Sequence, residues 1–284
     1  MFRSRKMVWL IMLPGLLGLT VFYVLPFFGG IWYSLTDGSF TSRFVGIDNY
    51  RRIWQNEMFL LGLKNTMELS LLCTPTIWLM SFLIALMLHR MKGNANFLRN
   101  VYLLPYLMPT SAILLIWLLA FDYGGVINRL LSIFGIPRVL WLQGNTLRAP
   151  VVLMYVWKNL GFSLVIFSAA LQAVPTALYE YAELEGASLR QQAFSITLPM
   201  IIPTAFLILV MAWINAFKIF KEVYFIGGAY PSNAVYTLQH YMNNMFLKLD
   251  YQNVTSSAYS FAMIVLALFG TLFLIEKRVR NSMI

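Results

Sequence analysis

Six separate runs of roughly twenty apolar residues, each long enough to cross a hydrocarbon layer, constrain this chain more than any motif in it. They fall near 8–35, 66–88, 101–121, 150–173, 197–220 and 257–275. Only 11% of the 284 residues are charged and 60% are apolar, whereas soluble domains carry about 25% charged residues. The chain has too few polar groups to coat itself for water. The expected fold class is therefore all-α, a polytopic membrane protein of six transmembrane helices, with one transmembrane domain over 1–284 and no room for a second, soluble one.

The first run follows Arg3, Arg5 and Lys6. It is too long for the apolar core of a signal peptide and has no small-residue cleavage site, so it is read as a retained span. Pro14 and Pro26 are expected to kink it. The leading basic cluster places the N-terminus in the cytoplasm. Six crossings return the C-terminus to the same side, where Lys277, Arg278 and Arg280 stand. Arg90, Lys92 and Arg99 mark the turn after the second run as cytoplasmic too. The loops near 36–65, 122–149 and 221–256 then face outward, and the interruption at 174–196 faces inward. Trp32, Tyr33, Trp141 and Tyr251 suit the aromatic belts at the two interfaces.

A net charge of +10 could suggest nucleic acid, but the basic residues sit in short clusters beside apolar runs. That is the pattern of topology signals and headgroup contact, and no nucleic-acid partner is expected. The single Cys73 lies inside a run, so no disulfide framework is possible, and it is read as a packing residue. His89 and His240 are too few and too far apart for a metal site. Asn253-Val-Thr255 fits a glycosylation sequon but is discounted.

The interruption Pro175 to Pro199 is the longest polar stretch between spans. Pro175 and Thr176 look like a helix start, with Thr176 expected as N-cap. Leu178, Tyr181 and Leu184 share one face, and Glu180 and Glu183 another. Gly186 ends the pattern and leaves room for another backbone to approach. Such a helix could lie on headgroups, but its glutamates would be repelled by an anionic leaflet. Docking on a partner protein that offers arginines is the favoured reading.

These residues carry a resemblance. Glu180-x-Ala182, Gly186-Ala187 and Ile196-x-Leu198-Pro199 resemble the EAA loop of binding-protein-dependent ABC importer permeases. The wider chain, from about residue 8 to 275, is similar to the sugar-importer branch and its maltose-type first permease subunit. Val45-Gly-Ile-Asp-Asn-Tyr50 and Asn65-Thr66 resemble its first outer loop. Leu104-Pro-Tyr106 with Pro109 resembles the start of its third span, and Phe217-Lys218-x-Phe220 with Gly227-Gly228 its fifth-span exit. Tyr181 and Glu185 stand where the family usually has Ala and Asp. Lys221 followed by Glu222 stands where Asp is usual after Phe220.

The resemblance implies a type I ABC importer permease fold and a function: taking up sugars, oligosaccharides above all, delivered by an extracellular or periplasmic solute-binding protein. It implies that 176–190 is a cytoplasmic coupling helix seated on an ATPase subunit, with Glu180, Tyr181, Ala182, Glu183, Gly186, Ala187, Leu198 and Pro199 carrying the coupling. It further implies a second homologous permease, two ATP-binding subunits holding ATP and Mg, and a place in a bacterial or archaeal cytoplasmic membrane. No cofactor is expected in this chain, which has no Gly-x-x-x-x-Gly-Lys-Ser/Thr, and no catalytic residue.

In the family the substrate path runs between spans three, four and five. Tyr106 and Thr110 are four apart and are expected to share a face of span three. Tyr155, Asn159 and Phe162 share a face of span four. Aromatic rings, an amide and a hydroxyl suit a carbohydrate, although the same residue types also pack helix interfaces in membranes. On span five Asn215 lies beside Ala212 and Ala216, so little hydrogen bonding is expected there. Lys158 stands roughly 12 Å inside the span that begins at Pro150. It should either snorkel or pair with another side chain, or else, together with Lys218, favour an anionic sugar.

Other classes fit less well. A polyol or glycerol phosphate cargo would use the same architecture. A secondary transporter or channel would show paired repeats or ion ligands in mid-span, and an intramembrane enzyme a nucleophile and base there. Neither is evident in the sequence.

Overall fold

The computed structural model describes residues 5–39, 41–91 and 93–282. Arg3 and Lys92, read above as topology signals, lie outside the described residues, as do the side chains of Arg5, Lys6 and Arg280. The helices in chain order are α1 (Arg5–Leu19), α2 (Leu25–Ser34), α3 (Asp48–Trp54), α4 (Glu57–Arg90), α5 (Ala95–Leu107), α6 (Thr110–Phe121) and α7 (Val126–Ile133). After them come α8 (Arg148–Gln172), α9 (Thr176–Leu184), α10 (Leu189–Gln192), α11 (Leu198–Ala216), α12 (Phe220–Gly227), α13 (Leu238–Leu247) and α14 (Tyr251–Ser282). Among the described residues six stretches are long and apolar enough to cross a membrane.

Packing divides the chain into two compact units. The first comprises Met1–Leu60 with Tyr241–Leu266. Here the 35–47 turn is stapled by buried Asn49, whose Nδ2 donates to the carbonyls of Ser34 at 2.9 Å and Thr36 at 2.8 Å. Tyr50 bonds the Ser34 hydroxyl at 2.8 Å, and Tyr259 donates to the Phe27 carbonyl. The Asn49-Tyr50 pair thus closes the turn on the end of α2. Pro26 does not simply kink the first span. A π-helical turn, Thr20–Val24, precedes it, and Leu25 N–H reaches back five residues to Thr20 O. The wider turn makes room for a proline that has no N–H to give.

The second unit comprises Leu61–His240 with Ala267–Ile284. Its centre is α8, the most buried of the spans at 56% of its apolar window. Toward one end Leu160, Leu164, Phe167 and Leu171 pack with Phe82, Ala85 and Leu88 of α4 and Ile201, Ala205 and Ile208 of α11. Toward the other end Val151, Tyr155 and Val156 pack with Leu69, Cys73 and Ile77. Cys73 is fully buried in that cluster. Trp78 of α4 fixes the α4–α11 register by donating Nε1–H to Ala205 O at 2.8 Å.

Span three departs from the expected continuous 101–121 helix. It is two helices, α5 and α6, with Met108 and Pro109 extended between them at ψ 146 and 134. A residue before proline is pushed out of the helical region, so Met108 breaks the span. Gly161 lets α5 lie close along α8, since a Cβ there would meet Tyr102 O at 1.9 Å. The apolar stretch of span five, Leu189–Gly227, contains the expected 197–220, but its regular helix α11 does not run through it. That helix ends at Ala216, and α12 follows after a three-residue turn.

Asn65 and Thr66 near the start of α4 also have a visible purpose. Asn65 Nδ2 donates to Asn233 O at 2.7 Å and to Tyr236 O at 2.9 Å. The Thr66 hydroxyl accepts Leu238 N–H at 2.9 Å, capping α13. Gly62 admits the Leu238 backbone, which would lie 3.0 Å from an added Cβ.

Candidate functional site

The polar residues of α8 share one face and meet two neighbours. Tyr106 of α5 stacks on Phe162 at 5.0 Å between centroids and 22°. Thr110, the first residue of α6, accepts a hydrogen bond from Lys158 Nζ at 2.7 Å. Tyr106 and Thr110 therefore do not share a helix face as expected, because the Met108–Pro109 break separates them. Each nevertheless reaches α8, about one turn apart. Tyr155, Asn159, Phe162 and Ser163 line a small void with Ile77, Ala212 and Asn215. It measures about 10 Å³, room for a single water. Asn159 Nδ2 donates to Tyr155 O at 2.8 Å, which orients its carbonyl oxygen. Ala212 and Asn215 contribute one amide between them, in keeping with the weak polar character expected of span five.

Lys158 is neither free nor snorkelling. Its Nζ lies 2.8 Å from Glu222 Oε1 of α12, and the two side chains are only 12% and 5% exposed. Two buried charges in contact offset one another, and either left alone would carry a large desolvation cost. Glu222 stands out in the sequence only as a departure from a pattern. Its partner lies 64 residues away, a separation at which no helical spacing can show a pair. Lys218 is exposed on the turn after α11.

Beside α12 sits His240, fully buried against Phe220 (4.6 Å between ring centroids) and Tyr236 (5.6 Å). Nδ1 accepts the Thr237 N–H at 3.2 Å, so the neutral ring carries its proton on Nε2. Burial pushes its pKa down to about 4.

At the opposite end of α8 lies the 175–199 loop. Pro175, not Thr176, occupies the N-cap of α9, at ψ 126, and no side chain caps the helix. Proline's fixed φ starts the helix without one. The far end closes by two crossed bonds, Ala187 N–H to Ala182 O at 2.8 Å and Gly186 N–H to Glu183 O at 3.0 Å. This is a Schellman turn with Gly186 at φ +74. Gly186 is thus required by its backbone conformation, and among the described residues an added Cβ would meet nothing within 4 Å. The helix ends at Leu184, short of the expected 190. A second short helix, α10, is opened by a capping box in which Ser188 and Gln191 bond one another's backbone. Its sequence signal is the local Ser-x-x-Gln spacing, which the periodicity of the preceding helix overshadows.

Inside the loop Tyr179 packs on the core and its hydroxyl meets Thr197 Oγ1 at 2.9 Å. Tyr181 (69% exposed), Leu184 (84%) and Leu178 (38%) face outward. Glu180 and Glu183 are exposed as well, while Ala182 and Ala187 are half-buried. Leu198 and Pro199 begin α11 behind another π-helical turn, Ala193–Thr197.

Residues 79–281 match the family model described as binding-protein-dependent transport system inner membrane component. The chain belongs to that family: it is an inner-membrane permease component of a binding-protein-dependent transport system. It is 33% identical over 257 residues to the trehalose/maltose transport system permease protein MalF of Thermococcus litoralis, covering 88% of this chain and 86% of that protein. It is 30% identical over 220 residues to the sn-glycerol-3-phosphate transport system permease protein UgpA of Escherichia coli O157:H7, covering 76% and 75%. Among solved structures, a chain of a bacterial ABC transporter involved in the import of the acidic polysaccharide alginate superposes with a TM-score of 0.84. That match is 25% identical and covers 96% of each chain.

Proposed function

We propose that this chain is one of two pore-forming subunits of an ATP-driven importer for carbohydrate, oligosaccharides above all. A second homologous permease completes the pore. An extracellular or periplasmic solute-binding protein delivers the sugar, and two ATP-binding subunits supply the energy. ATP and Mg²⁺ are held by those subunits, since this chain lacks the Gly-x-x-x-x-Gly-Lys-Ser/Thr motif. Both termini and the 175–199 loop face the cytoplasm, as the basic clusters at the ends argue.

The observation that carries the reading is the outward stripe of α9. Outside the spans, exposed Leu178, Tyr181 and Leu184 beside Glu180 and Glu183 form an apolar strip edged with charge. That suits a groove on an ATPase subunit lined by apolar residues and arginine, with charge fixing register. The loop behind the stripe is firm: it has a proline start, a Schellman end and the Tyr179–Thr197 bond to the base of α11. A push on α9 therefore reaches span five with little slack, as a switch between two access states needs. The sugar reading draws on the trehalose/maltose and alginate relatives. It draws also on the gathering of Tyr106, Thr110, Tyr155, Asn159, Phe162 and Asn215 around α8. A glycerol phosphate cargo is the second reading, favoured by the 30% identical permease.

The test is coupling. Glu180→Lys or Leu184→Asp in the reconstituted complex should cut transport-linked ATP hydrolysis about tenfold or more, a loss of ~1.4 kcal/mol or more of docking energy. Uptake that persists without ATPase subunits would overturn the importer reading.

A further inference from the structure

The cargoes named for the relatives straddle charge. One is a trehalose/maltose permease, while the others move sn-glycerol-3-phosphate and the acidic polysaccharide alginate. What this chain prefers must be read from its own residues. Lys158 lies within one turn of Tyr155, Asn159 and Phe162 and shares their face of α8. Standing alone, its ammonium would draw a carboxylate or phosphate to that face. It does not stand alone, because Glu222 Oε1 is 2.8 Å away and the Thr110 hydroxyl 2.7 Å. The pair is closed off from water, so little solvent screens either charge. Glu222 Oε2 is buried and, among the described residues, receives no hydrogen bond.

We propose that Glu222 is a specificity-determining residue of the path: by holding Lys158 as a neutral pair it makes this permease a carrier of uncharged carbohydrate. The proposal rests on the carbohydrate reading and deepens it. An anionic sugar arriving at this face meets a carboxylate as well as an ammonium. To use the ammonium it must displace Glu222 and leave that carboxylate buried and unpaired, which is strongly unfavourable. A neutral sugar faces no such exchange. Its hydroxyls can meet Tyr155, Asn159 and Phe162 on the same face of α8 while the pair stays closed.

The experiment uses the whole complex in nanodiscs without the solute-binding protein, so that only the permease selects. Maltotriose and trigalacturonate are titrated against the wild type, E222D, E222Q and the double variant K158M/E222M. The wild type and E222D, which keep the carboxylate, should bind maltotriose at least about tenfold more tightly. E222Q leaves a lone ammonium and should move the ratio about tenfold or more toward trigalacturonate. The double variant removes both charges and should keep the wild-type order. A pair that merely braces α6, α8 and α12 would weaken both saccharides alike. An unchanged ratio in folded E222Q, or trigalacturonate bound by the wild type as tightly as maltotriose, overturns the proposal and leaves the carbohydrate reading standing. The wild-type ratio decides even if E222Q does not assemble. Binding of neither saccharide by a wild-type complex that still hydrolyses ATP overturns the carbohydrate reading and the proposal together.

Discussion

Replacing Gly161 by alanine should force α5 away from α8, the two helices that position the site. The added methyl would lie 1.9 Å from Tyr102 O, 2.6 Å from Tyr102 C and 2.9 Å from Leu103 Cα. All three are backbone atoms of α5, so no rotamer change can make room. An ordinary carbon–oxygen contact is about 3.3 Å, so α5 must move off α8 by about 1.4 Å at this level. The Tyr106–Phe162 stack, one residue along α8 from the clash, opens with it. Overpacking of this kind costs about 1–3 kcal/mol, and a clash with backbone belongs at the upper end.

The assay is thermal unfolding of the purified permease complex followed by size-exclusion, beside uptake in vesicles. Gly270→Ala is the control, because it too lies in a span but a Cβ there meets nothing within 4 Å. In a helix Gly→Ala alone stabilises by about 0.5–1 kcal/mol, so the control should hold or gain. Gly161→Ala should melt several degrees lower, at roughly 2–4 °C per kcal/mol, and lose uptake. Equal melting of the two variants would refute the close approach of α5 to α8.

Two further outcomes follow from backbone and burial. Gly186→Ala places a side chain at φ +74 with no steric neighbour, so its whole cost is the left-handed conformation, about 1–2 kcal/mol. Transport-linked ATP hydrolysis should fall in the order Gly, Asn, Ala, since asparagine tolerates that region. Folding holds the His240 pKa at about 4, below its ordinary 6.5. Its contribution is therefore full above about pH 6.5 and is lost as pH falls toward 4, up to about 3 kcal/mol. Melting temperature measured from pH 7.5 to pH 4 should decline in that window and be flatter in His240→Gln.

What the sequence disclosed and what it hid divide along sequence distance. Tyr155, Asn159 and Phe162 announce a common face by their spacing alone, and the structure gathers them around one void with Asn215. The six crossings follow from run length, because the solvent dictates it. The Met108–Pro109 break was legible in principle, since the rule for residues before proline is local. The continuous apolarity of 101–121 masks it. The Lys158–Glu222 pair was not legible, for nothing in either segment points across 64 residues. At the 175–199 loop the outward stripe was visible as periodicity, whereas the inward role of Tyr179 depended on Thr197 and the fold behind it.

The two π-helical turns stand at matching places, each directly before a Leu-Pro step: Thr20–Val24 before Leu25-Pro26, and Ala193–Thr197 before Leu198-Pro199. A π turn stores one residue more than an α turn. Winding 193–197 into α geometry would release that residue, rotating α11 by about 100° about its axis and advancing it by about 1.5 Å. Ala212 and Asn215 would swing away from the void they now line, and another strip of span five would take their place. Thr197, which holds Tyr179 of α9, is the last residue of that turn. The loop is therefore fastened to the span at a point where its register can slip, so a small displacement there changes which side chains the span presents.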